Sequence, residues 1–172
     1  LGSMTVAVNI SARQFHQQDL PQLVADILAE TAMPPGCLEL EITESDAMQD
    51  VDHTTAPLHR LREMSVKVSI DDFGTGFSSL SYLKRFPIDK LKIDQSFIRH
   101  LSSDENDTAI TNAIITLGHS MKLRVIAEGV ETEEQFAYLR DGGCDEVQGF
   151  LFSAALPAAE FEVYLKKRNG LV

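Results

Sequence analysis

Six short aliphatic runs in this 172-residue sequence each end on a polar side chain that could do chemistry: Asn9, Glu41, Asp71 with Asp72, Lys92 with Asp94, Glu128 and Gln148. These positions follow one another at intervals of roughly 20 to 36 residues, about one strand-helix unit each. Four carboxylates (Glu41, Asp71, Asp72, Glu128) and the amide oxygen of Asn9, drawn together, would repel one another strongly, and such a group needs counter-ions. Oxygen donors without His or Cys select hard divalent ions, Mg²⁺, Mn²⁺ or Ca²⁺, over Zn²⁺ or Cu²⁺. The adjacent pair Asp71-Asp72 points to two ions, because one carboxylate can bridge while its neighbour turns to the second metal. Two such ions about 3.5–4 Å apart serve phosphodiester cleavage by holding the scissile phosphate and activating a bound water.

Each residue alone has a plainer reading. Asp71-Asp72-Phe73-Gly74-Thr75-Gly76 could be only a Gly-rich turn, and Lys92 only a structural ion-pair partner. Their recurrence at successive strand ends is what carries the functional reading. The five histidines, His16, His53, His59, His100 and His119, fall in helices or loops, which argues against a His-based metal site.

The elements that must position these groups are legible as alternating strands and helices. Strands are expected at 6–10, 38–42, 66–71, 91–94, 124–128 and 146–148, rich in β-branched and aliphatic residues. Helical spacing runs from Leu20 to Ala32, through Leu20, Leu23, Val24, Ile27 and Leu28, and from Ala109 to Met121, through Ile110, Ala113, Ile114, Leu117 and Met121. Pro34-Pro35-Gly36 and Asp141-Gly142-Gly143 read as helix stops. Alternation of this kind predicts parallel strands joined by helical crossovers. The first strand lacks a Gly-rich dinucleotide turn, which favours an α/β barrel of the TIM type over an open sheet. All strand ends then meet at one mouth, where such barrels keep their active sites. A complete eight-unit barrel takes about 250 residues, so this sequence is expected to form an incomplete one, lacking about the first two strands through N-terminal truncation. Residues 1–4 read as a cloning scar and 5–172 as one domain.

Lys and Arg number 15 against 26 Asp and Glu, a net charge of −11. That balance disfavours binding to a nucleic-acid polymer, which depends on cations neutralising phosphates. No apolar run reaches the roughly 20 residues that span a bilayer, so no membrane contact is expected of this domain, and a cytoplasmic location is expected, with tethering of the parent through other domains left open. Cys37 and Cys144, with no CxxC pattern, are expected to be buried thiols. Two residues before the site positions, on the same strand face, come Ala7, Glu39, Ser69, Lys90, Ile126 and Glu146, with Lys67 and Arg124 two lower again. This predicts a partly ionic barrel floor in which Glu39 pairs with Lys67 on the neighbouring strand.

At these residues the sequence resembles the EAL domain family of bacterial cyclic di-GMP phosphodiesterases. The matching segments are Asn9-Ile10-Ser11-Ala12-Arg13-Gln14-Phe15, Leu38-Glu39-Leu40-Glu41-Ile42-Thr43-Glu44-Ser45, 71–80 from Asp71 to Leu80, Lys92-Ile93-Asp94-Gln95-Ser96-Phe97, Ala127-Glu128-Gly129-Val130-Glu131 and Gln148-Gly149-Phe150. The resemblance implies hydrolysis of cyclic di-GMP to linear pGpG with two Mg²⁺ or Mn²⁺ ions. It implies Asn9, Glu41 and Asp71 as ligands of one ion and Asp71, Asp72 and Glu128 as ligands of the other. Lys92 resembles the family's active-site lysine, and Asp94 and Gln148 resemble residues that complete the site. Glu128 also resembles a residue cast as general base, and a metal-held hydroxide could do the same work; both stay open. Glu44 and the loop 73–79, with Phe73, Gly74, Thr75 and Gly76, resemble the segment that couples dimerisation to metal binding, and Glu131 resembles a supporting residue of the site.

The Glu-Ala-Leu motif that names the family, whose Glu is a further metal ligand, does not occur in these 172 residues. The chain is therefore expected to be metal-poor, with one ion or none bound, and inactive or weakly active, while its parent is expected to be an enzyme. Exposed strand edges imply a homodimer or strand-exchanged oligomer. The competing function is a receptor or scaffold domain that binds cyclic di-GMP without cleaving it. A metal-dependent lyase would not explain the Asp-Asp pair.

Overall fold

The computed structural model describes residues 4–17, 19–76, 80–101 and 103–168. Among them six strands form one parallel sheet in sequential order: β1 (Val6–Asn9), β2 (Leu38–Thr43), β3 (Lys67–Phe73), β4 (Lys90–Ile93), β5 (Arg124–Ala127) and β6 (Glu146–Val147). Helices intervene at α1 (Ala12–Gln17), α2 (Leu20–Thr31), α3 (Glu44–Gln49), α4 (Val51–Glu63), α5 (Leu80–Leu83), α6 (Gln95–Arg99), α7 (Glu105–Ser120) and α8 (Glu133–Asp141), and α9 (Ala158–Arg168) follows the sheet. This is the sequential strand order of a TIM-type barrel, incomplete by two of the eight strands that close one. None of the helices described is long and apolar enough to cross a membrane.

Strand parity sorts the side chains into two sets. Leu40, Ile42, Val68, Ile70, Leu91, Ile93 and Val125 are buried in one apolar cluster with Leu28, Leu58, Leu61, Ile114 and Leu139 from the helices. Burying each such side chain stabilises by about 1.5–3 kcal/mol. The alternate residues, Glu39, Glu41, Ser69, Asp71 and Lys92, are buried and polar, and face the barrel interior.

The helices begin where the sequence supplies caps. Asp19 accepts the Gln22 N–H ahead of α2, Asp104 accepts those of Asn106 and Asp107 ahead of α7, and Thr132 with Gln135 forms a capping box on α8. The apolar stripes are narrower than the spacing alone predicts. On α2, Leu20, Val24 and Leu28 are buried while Leu23 and Ile27 are exposed. On α7 the buried face is Thr111, Ile114, Ile115 and Gly118, and Ile110 is exposed. Gly118 sets that rotation, since a Cβ there would lie 2.4 Å from a Val125 methyl.

At the barrel floor the expected Glu39–Lys67 pair does not form. The two are in register, yet the Lys90 ammonium reaches Glu39 at 3.0 Å and Glu146 at 2.8 Å, Arg124 meets Glu146 at 2.9 Å, and the Lys67 ammonium donates to the Thr5 hydroxyl at 3.2 Å. The reason lies on β3, where Ser69 stands in register with both Glu41 and Lys90. Its short, fully buried side chain leaves room for Lys90 to cross β3 to Glu39. The floor is ionic, as expected, with a different cation. Cys37, closing a short helical turn before β2, and Cys144, in the turn before β6, are free thiols and are half-buried rather than buried.

Candidate active site

The mouth is organised by an irregularity in β3. Ile70 pairs with Leu91 and Phe73 with Ile93, so Asp71 and Asp72 together oppose the single residue Lys92. This is a β-bulge. Successive residues of a regular strand point to opposite faces, and the bulge lets two adjacent carboxylates share one. Asp72 adopts φ +54°, rare for a residue with a Cβ, while its N–H donates to Asp71 Oδ1 at 3.0 Å. Strain of this kind persists where the surroundings hold it and concentrates at functional sites. As a result one oxygen each of Asp71, Asp72 and Glu128 lie within 4.8 Å of one another, the spacing of a metal-ligand set.

Lys92 stands at the centre of this group. Its ammonium lies 2.7 Å from Glu41, 3.0 Å from Asp71 and 2.7 Å from Glu128, and the side chain is only 4% exposed. Burial disfavours the ammonium, but the hydrogen bonds with Glu128 and Glu41 outweigh it and raise the Lys92 pKa above the ordinary lysine value. Glu128 is raised too: burial leads, Lys92 opposes, and the charges of Asp71 and Glu41 add to the rise. Asp72 is raised by burial, then by the charges of Asp71 and Asp94, against the pull of Lys92. One buried cation thus meets a larger number of carboxylates, and the donors left over are oxygens only, a set that fits hard divalent ions.

Glu44 opens α3 directly after the Thr43 cap and is 1% exposed. Its Oε2 accepts the N–H groups of Gly74 at 2.8 Å and Gly76 at 3.4 Å, tying β2 to the loop that follows the bulge. A Cβ on Gly76 would lie 2.8 Å from Glu44 Oε1, so the loop approaches this closely only with glycine there. Phe73 is buried at the end of β3, and the Thr75 hydroxyl donates to the Asp72 carbonyl at 2.8 Å. Residues 77–79 of the expected loop lie outside the described residues.

The remaining expected residues stand at different distances from this centre. Asp94 caps α6 by accepting the Ser96 N–H at 3.0 Å and also bonds to Asp72, which places it in the cluster. Asn9 is in register with Glu41 but exposed, since β1 is an edge strand. Gln148 is exposed at the rim, held through its backbone by Ala127 and Val130. Glu131 is exposed, and its N–H donates to Gln135 at the start of α8 at 2.8 Å. Ser69 was expected on this strand face but without a role of its own. It is fully buried between the mouth and floor layers, and its position two residues before Asp71 was the available signal.

Known proteins resemble this chain in sequence and in fold. Cyclic di-GMP phosphodiesterase NbdA of Pseudomonas aeruginosa is 45% identical over 163 residues, covering 95% of this chain and 21% of the relative. The chain thus spans about a fifth of the length of the curated relatives it matches. A solved structure of PaMucR phosphodiesterase in complex with c-di-GMP superposes with a TM-score of 0.89 at 47% identity, covering 91% of this chain and 64% of that one. A manganese and cyclic di-GMP complex of Klebsiella pneumoniae BlrP1 superposes with a TM-score of 0.82 at 32% identity, covering 89% of this chain and 39% of that one. Residues 1–155 match the family model of the EAL domain, and the chain belongs to that family.

Proposed function

We propose that this chain contributes most of the active-site face of a divalent-metal phosphodiesterase that hydrolyses cyclic di-GMP to linear pGpG. The observation that carries the reading is the bulge that turns Asp71 and Asp72 together toward Glu128. Asn9, Glu41 and Asp71 are assigned to one Mg²⁺ or Mn²⁺ ion, and Asp71, Asp72 and Glu128 to a second. When bound, such ions hold the scissile phosphate and lower the pKa of water beside it. Lys92, with its raised pKa, stays cationic and opposes negative charge developing on the phosphate. The raised Glu128 is brought toward the range of a general base. Asp94 holds Asp72, Gln148 completes the rim, Glu131 supports it, and Glu44 with Phe73, Gly74, Thr75 and Gly76 couples the mouth to a neighbouring subunit. The names of NbdA and PaMucR support the substrate, and that of the BlrP1 complex supports divalent metal.

On its own the chain is proposed to be inactive or weakly active, because its 172 residues hold no Glu-Ala-Leu ligand. The open edges of β1 and β6 are proposed to be covered in a homodimer or strand-exchanged oligomer, in the cytoplasm. The test compares linearisation of labelled cyclic di-GMP, with and without Mn²⁺, by this chain and by the protein extended upstream by about two strand-helix units. Mn²⁺-dependent turnover by the longer protein alone is the expected result. Equal rates refute the missing-ligand account, and binding without cleavage by the longer protein replaces the enzyme with a receptor.

A further inference from the structure

The end of the sheet opposite the mouth holds a cavity of about 390 Å³ whose charge runs against the rest of the molecule. Arg62, Lys67, Lys90, Lys122 and Arg124 line it. In a chain of net charge −11, five of the 15 Lys and Arg residues converge on this one concavity. Three carboxylates share it, Glu39, Asp89 and Glu146, which leaves a surplus of two positive charges.

Those carboxylates are already engaged. Glu39 and Glu146 hold Lys90, Glu146 also holds Arg124, and Asp89 accepts the Val68 N–H at 2.9 Å. With Lys90 and Arg124 matched by Glu39 and Glu146, the cations left are Arg62 at the end of α4, Lys67 at the start of β3, whose ammonium meets the Thr5 hydroxyl, and Lys122 in the turn before β5, against the single charge of Asp89. Neither Arg62 nor Lys122 has a carboxylate partner among the described residues. Cations from three separate elements around one hollow can surround a single ligand, and guanidinium groups match the tetrahedral oxygens of phosphate.

We propose that this floor cavity is a second ligand site, taking a small phosphate dianion, either inorganic phosphate or the phosphate of a mononucleotide. The cavity volume admits a ligand of that size, and the surplus of two charges matches a dianion. The site is independent of the proposed catalysis, because it lies at the other end of the barrel and needs no metal.

The test exploits the opposite signs of the two ends. In EDTA-treated protein the carboxylate-rich mouth repels phosphate, so a saturable phosphate response reports the floor. Backbone amide resonances of this 19.0 kDa chain are followed while inorganic phosphate is added, then while guanosine monophosphate is added, at constant ionic strength held with NaCl. The expected result is saturable shifts at Lys67, Lys122 and Arg124, with affinity falling tenfold or more in Arg62→Glu/Lys122→Glu. Tighter binding of the mononucleotide identifies an organic phosphate ligand, and equal binding identifies free phosphate. Should the double variant not fold, Arg62→Gln at the exposed end of α4 replaces it. Shifts that never saturate, that NaCl reproduces, or that survive the substitutions overturn the proposal.

Discussion

The mouth and the floor of this barrel are built from the same strands with the same residue types, yet their charges are balanced in opposite ways. On β2, Glu39 serves the floor and Glu41 the mouth; on β4, Lys90 serves the floor and Lys92 the mouth. Each pair is separated by one pleat repeat, about 6.6 Å. At the floor the carboxylates are matched by Lys90 and Arg124 and cations are in surplus. At the mouth β3 adds Asp71 and Asp72 through its bulge, β5 leads to Glu128, and Lys92 is the buried cation facing them all. The floor shows that this architecture can close its interior charge with lysine and arginine. The acid excess at the mouth is therefore a feature of the site and no by-product of a polar barrel.

The sharpest way to break this comparison is to remove each central lysine in turn. Lys92→Met leaves Glu41, Asp71 and Glu128 facing one another with no cation among them, and unpairing buried charge in this way costs about 3–5 kcal/mol. Urea unfolding in EDTA measures it, and Mn²⁺ is expected to return part of the loss by supplying the missing charge. A loss under about 1 kcal/mol would mean that the mouth tolerates its acids without Lys92.

Lys90→Met is expected to cost less, about 2 kcal/mol, because Glu146 keeps Arg124 and only Glu39 is stranded. The same unfolding experiment ranks the two variants. If Lys90→Met proves the more damaging, the floor and not the mouth holds the interior together.

Much of this contrast was legible in the sequence. The six strands fall where β-branched runs place them, and parity alone was enough to put Glu41, Asp71 and Lys92 on one buried face. The pairing of Glu39 was not legible, since it depends on the short Ser69 letting Lys90 cross an intervening strand, a property of packing across three strands. The bulge at Asp71-Asp72 was equally hidden, because sequence spacing counts residues and cannot count how many oppose a partner. The apolar stripes of α2 and α7 came out too wide for a similar reason. Periodicity finds a face, while a contact such as Gly118 against Val125 fixes its rotation.

A pH series sharpens the floor half of the comparison. Burial opposes the Lys90 ammonium, but its hydrogen bonds to Glu146 and Glu39 raise its pKa above the ordinary lysine value. A group whose pKa is raised on folding adds stability fully below its unfolded value and loses it as pH climbs through the folded value. The stability gap between the wild-type chain and Lys90→Met is thus expected to hold steady from neutral pH to about 10 and to shrink above it. A gap that widens with alkali would contradict the cationic role of Lys90.

The smallest expected effect concerns Cys144, next to the floor strand β6. Its thiol lies 3.2 Å from the Glu146 carbonyl and 3.4 Å from that of Val125, and burial pushes its pKa up to about 11. The thiolate is the nucleophile, so alkylation by iodoacetamide at pH 8 is expected to be slow, on the order of a hundredfold slower than for a free thiol of ordinary pKa. Removing the floor cation in Lys90→Met leaves those carbonyls in place and should change the rate little, whereas a loosened floor would expose Cys144 and accelerate it. Mass spectrometry of both variants therefore tells loss of a charge from loss of packing, and a Cys144 that reacts quickly in the intact chain would show that the β5–β6 end of the floor is open.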